Sequence, residues 1–103
     1  MNIQEGKAMI VLNVTYQCKP GMNKTFLEQI KKEGLDVACR AEEGCIKYDY
    51  YFPENGCDEL FLFEKWQDET ALEKHGKQAH FARIGELKTE YVEDTLIEKY
   101  VSQ

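Results

Sequence analysis

His75 and His80 are the only histidines in the chain, five residues apart in "EKHGKQAHF" and downstream of the only tryptophan, Trp66. Imidazoles titrate near neutral pH, so two of them together suit a metal ion or proton transfer. Spacing bears on the choice. On an unbroken helix five residues turn the chain by about 500°, roughly 140° beyond a full turn, so the rings leave on different sides. Metal pairs on helices use spacings of three or four. No nearby cysteine or aspartate completes a ligand set, so a metal is not expected. Gly76 breaks the helix between the two. His75 then sits near the C-terminus of a short helix, where a cation is favoured, and His80 near the N-terminus of the next, where the neutral ring is favoured. Such a pair offers one general base and one proton donor. Equally, both are helix-end residues satisfied by backbone.

Three further residues stand out by context. Asn13 interrupts an apolar run, and a buried amide without partners costs several kcal/mol. It meets either the protein's own polar groups or a substrate oxygen. Trp66 either packs in the core or walls a flat aromatic substrate. Glu64 lies two residues before Trp66 and shares its strand face. A carboxylate there needs a partner, and Arg40 and His80 are candidates. The four cysteines, Cys18, Cys39, Cys45 and Cys57, show no C-x-x-C spacing. Free thiols are expected, with a redox role for one of them the alternative.

These residues are carried by a regular alternation of elements. Residues 8–17, "AMIVLNVTYQ", read as a strand apolar on both faces. After the turn "KPG", the residues Phe26, Leu27, Ile30, Val37, Ala38 and Ala41 recur at helical spacing and predict one helix of four to five turns. Gly44 in "EEG" ends it in a left-handed conformation. "CIKYDYYF", 45–52, and "CDELFLFEKW", 57–66, form a hairpin across "PENG". Asp68 caps a short helix that Gly76 ends. A second helical stretch follows, with Phe81, Ile84, Leu87, Tyr91 and Val92 on one side. "DTLIEKYV", 94–101, is the last strand. The order β-α-β-β-α-β is the α+β, ferredoxin-like order, a four-stranded antiparallel sheet with helices on one face. One domain over residues 1–103 is expected, with a core of about 8–101. Helices cover only one sheet face, and the other is also apolar. A second copy packed sheet to sheet is the expected cover.

Composition narrows the function. Of 103 residues 43% are hydrophobic and 31% charged, enough for a core and a solvated surface. The net charge of −6, with lysines scattered, lacks the positive footprint of a nucleic-acid binder. No apolar run approaches the ~20 residues of a membrane helix. "MNIQEGKAMIVLNV" lacks the basic and apolar regions of a leader, so a cytoplasmic protein is expected.

With the elements in place, "MIVLNVTYQCKPG", "CRAEEGCIKYDYY" and "LFEKWQDETALEKHGKQAHF" resemble the antibiotic biosynthesis monooxygenase domain, the dimeric α/β-barrel family, over about residues 8–101. The strongest piece is Glu64-x-Trp66, an acid-rich helix start, then His75-x-x-x-x-His80-Phe81. The resemblance implies a homodimer and, in each subunit, a pocket between sheet and helices lined by the first and third strands. It also implies a choice of activities: cofactor-independent oxygenation of quinols, polyphenols or anthrones, haem degradation, or isomerase-like processing of a small carbonyl signal, autoinducer-2. Oxygenases of the family place an asparagine in the first strand, which carries over to Asn13. Haem-degrading relatives use a tryptophan at Trp66 but carry an axial histidine after the phenylalanine. Here Phe81 is followed by Ala82, Arg83, Ile84 and Gly85, so haem degradation is not expected.

The expected activity is a cofactor-independent monooxygenase acting on a quinol- or polyphenol-like aromatic with O2. His80 or His75 abstracts the proton, Asn13 stabilises the oxyanion, and Trp66, Glu64 and Arg40 hold the substrate. The alternatives are an isomerase moving a proton on a small carbonyl compound, and a non-catalytic dimer that binds a small ligand.

Overall fold

The computed structural model describes residues 8–102. The N-terminal seven residues, included in the search for a leader, and residue 103 lie outside it. In chain order the elements are β1 (Met9–Cys18), α1 (Asn23–Lys32), α2 (Leu35–Arg40), β2 (Cys45–Tyr51), β3 (Glu59–Trp66), α3 (Glu69–His75), α4 (Ala79–Tyr91) and β4 (Val92–Ser102). The strands form one antiparallel sheet in the order β2-β3-β1-β4. This is the expected ferredoxin-like arrangement.

Strand alternation decides which side chains meet the helices. Along β1, Ile10, Leu12, Val14, Tyr16 and Cys18 are buried, while Met9, Val11, Asn13, Thr15 and Gln17 between them are only half-buried. On β3 the buried set is Leu60, Leu62, Glu64 and Trp66. These faces close on Phe26 and Ile30 of α1, Leu35 and Cys39 of α2, Ala71 of α3, and Ile84 and Leu87 of α4. Burying each large apolar side chain stabilises the fold by roughly 1.5–3 kcal/mol.

The helical reading of residues 26–41 needs correction. Two helices replace the single long one, because Gly34 adopts φ +70° between them. A left-handed residue shifts the helical phase. The second segment restarts with Leu35 and Cys39 inward, and Val37 is 64% exposed instead of core. Asp68 does cap α3, its carboxylate accepting from the Ala71 N–H at 2.9 Å. Gly76 ends that helix, but with right-handed backbone at φ −64°. The reversal comes from tight turns, Lys77 N–H to the Lys74 carbonyl and Gln78 N–H to the His75 carbonyl. That turn faces α4 back toward the end of α3. The four cysteines are free thiols.

Candidate active site

A cavity of about 340 Å³ lies between the sheet and the helices. Leu12, Val14 and Tyr16 of β1, Tyr48 of β2 and Glu64 of β3 line it from the sheet. Leu72 and His75 of α3 and Phe81, Ile84, Gly85 and Lys88 of α4 line it from the helices. Ile97 and Thr95 of β4 complete the wall. Phe81 and Ile97 are 45% and 57% exposed, so the open side lies between α4 and β4. The lining is mainly apolar, and its buried ionisable groups are Glu64, His75 and the Tyr16 and Tyr48 phenols, whose pKa values burial raises.

Glu64 is buried on the inner face of β3, opposite Leu12 on one side and Tyr48 on the other. Its partner is neither Arg40 nor His80, as the sequence suggested. The Trp66 Nε1–H donates to Glu64 Oε1 at 2.9 Å, joining two residues of the same strand face. Burial pushes the Glu64 pKa up to about 7, the Trp66 bond pulls it back, and the nearby Glu42 charge raises it. At neutral pH this carboxyl exchanges its proton readily.

His75 is 2% exposed and clamped from two sides. Its Nδ1–H donates to Glu42 Oε2 at 2.6 Å. Its ring lies 4.6 Å from the Trp66 ring at 35°, with Phe81 edge-on at 5.1 Å. Burial lowers its pKa more than Glu42 raises it. The expected cationic His75 at a helix end is therefore corrected, because desolvation outweighs the dipole of a seven-residue helix. With Nδ1–H committed to Glu42, the lone pair belongs to Nε2. This is the orienting logic of a carboxylate–histidine pair.

His80, in the first turn of α4, reaches the same carboxylate oxygen through Nε2 at 2.7 Å. Glu42 sits in the 41–44 loop, with its side chain 9% exposed. That loop packs tightly against the start of α3. Gly44 has φ +88°, and a Cβ there would stand 2.5 Å from the Ala71 Cβ. Cys39, fully buried one turn before Glu42, completes a group whose sulfur, oxygen and nitrogen atoms all lie within 4.8 Å of one another. The sequence argument that no nearby cysteine or aspartate completes a ligand set is thereby corrected in space, since α2 supplies a cysteine and its following loop a glutamate.

The fold separates the remaining candidates. Asn13 lies on the opposite sheet face, beside Phe63 and Glu98, and does not line the cavity. Arg40 binds the Asp36 carboxylate at 3.1 Å and the Tyr48 carbonyl at 2.8 Å, outside the cavity wall. Trp66 is fully buried behind Glu64 and His75, where it holds both without forming the cavity surface.

A strand-rich α+β fold with a cavity at this place invites comparison with known proteins. The sequence model of the antibiotic biosynthesis monooxygenase family matches residues 9–87. The chain belongs to that family. It is 36% identical over 73 residues to the "Putative monooxygenase YcnE" of Bacillus subtilis, covering 71% of this chain and 75% of that one. It is 40% identical over 69 residues to the "Putative monooxygenase Rv0793" of Mycobacterium tuberculosis, covering 63% and 67%. A solved structure from Bacteroides thetaiotaomicron superposes with a TM-score of 0.81 at 31% identity, covering 93% of this chain and 99% of the other.

In this family member, sequence reasoning missed Glu42, Cys39, Tyr16, Tyr48 and Lys88. For Tyr16 the signal was present, since it shares strand parity with Leu12 and Val14. For Glu42 there was none. "AEEG" reads as a turn of solvated acids, and only tertiary packing buries one of them.

Proposed function

We propose that this antibiotic biosynthesis monooxygenase family protein is a cofactor-independent monooxygenase of flat, electron-rich hydroxyaromatics of the quinol or polyphenol class. One observation carries the reading: His75, oriented by its hydrogen bond to the half-buried Glu42, lines an apolar cavity of about 340 Å³, where burial lowers its pKa. A hydroxyaromatic entering between α4 and β4 gives its proton to His75 Nε2. Glu42 holds the imidazolium that forms, and the apolar walls exclude water. The resulting phenolate is electron-rich enough to reduce O2 by one electron, and recombination of the radical pair at a ring carbon forms a C–O–O⁻ peroxide that takes back the His75 proton. Glu64, poised near neutral pH, removes the hydrogen of that carbon as a proton while the O–O bond breaks and passes it to the departing hydroxide, leaving a quinone carbonyl and one water. Trp66 positions both groups from behind. His80 acts as a positioning residue on Glu42. Asn13 and Arg40 take no part, because neither reaches the cavity. The protein works as a homodimer closed across the outer sheet face.

The test is oxygen consumption with a panel of quinols and anthrones. The expected result is uptake above the spontaneous rate that falls by about 10²–10⁴-fold in His75→Ala, the usual worth of a general base. Unchanged uptake in that variant overturns the assignment of the base. Product formation without oxygen assigns the same base to proton transfer on a carbonyl compound instead. Tight aromatic binding without any turnover makes the protein a ligand carrier.

A further inference from the structure

The cluster behind the cavity has a second chemical capacity. Cys39 comes from α2, Glu42 from the following loop, His75 from the last residue of α3 and His80 from the first turn of α4. Their ligand atoms all lie within 4.8 Å of one another. From the structure we infer that these four residues form a tetrahedral site for a divalent cation of the zinc class.

The donor set fits. One thiolate, one carboxylate and two imidazoles are the ligands zinc takes, and the two anionic groups balance its charge. Bonds of about 2.0–2.3 Å imply ligand atoms roughly 3.3–3.7 Å apart. The Glu42 contacts to His75 and His80, at 2.6 and 2.7 Å, are shorter than that. Withdrawing the Glu42 carboxylate by about 1 Å, and closing the widest separation, up to 4.8 Å, by about as much, forms the centre. The Glu42 side chain and that of His80 are the less deeply buried members, at 9% and 18%, and they lie on the side from which an ion would enter. Five-residue spacing is no obstacle here, since the turn at 76–78 brings the imidazoles to 6.3 Å between centroids. The ligands stand on separate elements joined by tight turns, so the site is built by the fold and not by a flexible strand of chain.

Occupation has a consequence for His75. A cation on Nδ1 leaves the ring proton on Nε2, so the loaded protein offers a donor where the free protein offers an acceptor. That consequence rests on the base assigned above, whereas the binding does not.

The experiment uses the full chain, reduced and stripped with chelator, and Zn²⁺ or Co²⁺ as the probe. Equilibrium dialysis is expected to give one ion per chain. The Co²⁺ form is expected to show the intense visible bands of tetrahedral geometry and a near-ultraviolet thiolate charge-transfer band. Cys39→Ser should abolish that band, and His80→Ala should weaken binding by more than about tenfold. Cys57→Ser, in the turn before β3, should change neither. Failure to bind one ion, or binding that survives both Cys39→Ser and His80→Ala, overturns the site. Should Cys39→Ser fail to fold, His80→Ala at the more exposed ligand decides the question. None of these readouts involves turnover, so a protein that binds metal but consumes no oxygen refutes only the oxygenase reading.

Discussion

Glu64 places a carboxyl group in an apolar cavity with one donor, the Trp66 Nε1–H, and its pKa rises from 4.5 to about 7. An acid whose folded pKa is raised binds its proton more tightly in the native state. Its effect on stability is absent below the unfolded value, grows as pH rises from about 4.5 to 7, and is then constant. The whole shift corresponds to a loss on the order of 3 kcal/mol. His75 runs the other way. Its lowered pKa contributes stability that is complete above the unfolded value of about 6.5 and is lost as pH falls below it. Glu64→Gln keeps an acceptor for Trp66 and removes the charge. The variant is expected to gain on the wild type as pH rises from 5 to 8, by urea denaturation at each pH. A difference that does not change with pH would show that the carboxyl is not held protonated. The same residue scale explains what the sequence concealed. Period-two alternation placed Asn13 on the face opposite Leu12 and Val14, and that parity was readable. The resemblance drew it toward the pocket, and the structure follows the parity. Glu42 was unreadable for another reason: a carboxylate in a turn looks solvated until a distant helix end covers it.

The loop that carries Glu42 depends on one glycine. Gly44 combines a left-handed backbone with contact against Ala71, and the Gln67 N–H binds its carbonyl at 2.8 Å. Gly21 has a similar φ of +73°, but nothing lies within 4 Å of a Cβ there. Alanine at Gly21 meets only the left-handed penalty, about 1–2 kcal/mol. Alanine at Gly44 must also push α3 away from the loop, so its loss is expected to exceed that of Gly21→Ala by at least about 1 kcal/mol. Comparing urea midpoints of the two variants checks this, and equal losses would mean the loop yields freely. If α3 moves, the Glu42–His75 contact moves with it, and the Gly44 variant should lose the proposed oxygen uptake as well as stability. Strand positions and the order of elements were legible from periodicity and turn residues to within two residues. The break at Gly34 was not, because Phe26, Ile30 and Ala38 fit one helical stripe on paper. A single positive φ divides that stripe into two phases, and glycine in a helical pattern does not announce its φ.

At the scale of the whole molecule the unexplained feature is the sheet face that none of the described helices covers. In register across it lie Val11 beside Tyr100, Thr15 between Phe61 and Leu96, and Asn13 between Phe63 and Glu98. Leu96 and Tyr100 are 58% and 51% exposed. Soluble monomers rarely keep an apolar patch of more than a few hundred Å² in water. A second copy applied about a two-fold axis presents the same residues in reverse order and covers them on both sides. Burial there would give Asn13 a structural duty, since an amide removed from water needs a partner, and the second copy would have to supply one. Light scattering on the purified chain is therefore expected to give twice the monomer mass. Phe63→Asp should return a monomer, because an unpaired carboxylate at the centre of the seam costs several kcal/mol. Phe63 points away from the cavity, so that variant keeps Glu64, His75 and Glu42 in place and tests association separately from chemistry. A wild-type monomer at micromolar concentration, or a Phe63→Asp dimer, would refute sheet-to-sheet pairing. A dimer also makes thermal stability depend on protein concentration, whereas a monomer's midpoint stays fixed on dilution. The dilution series distinguishes a seam needed for folding from a contact formed only after it.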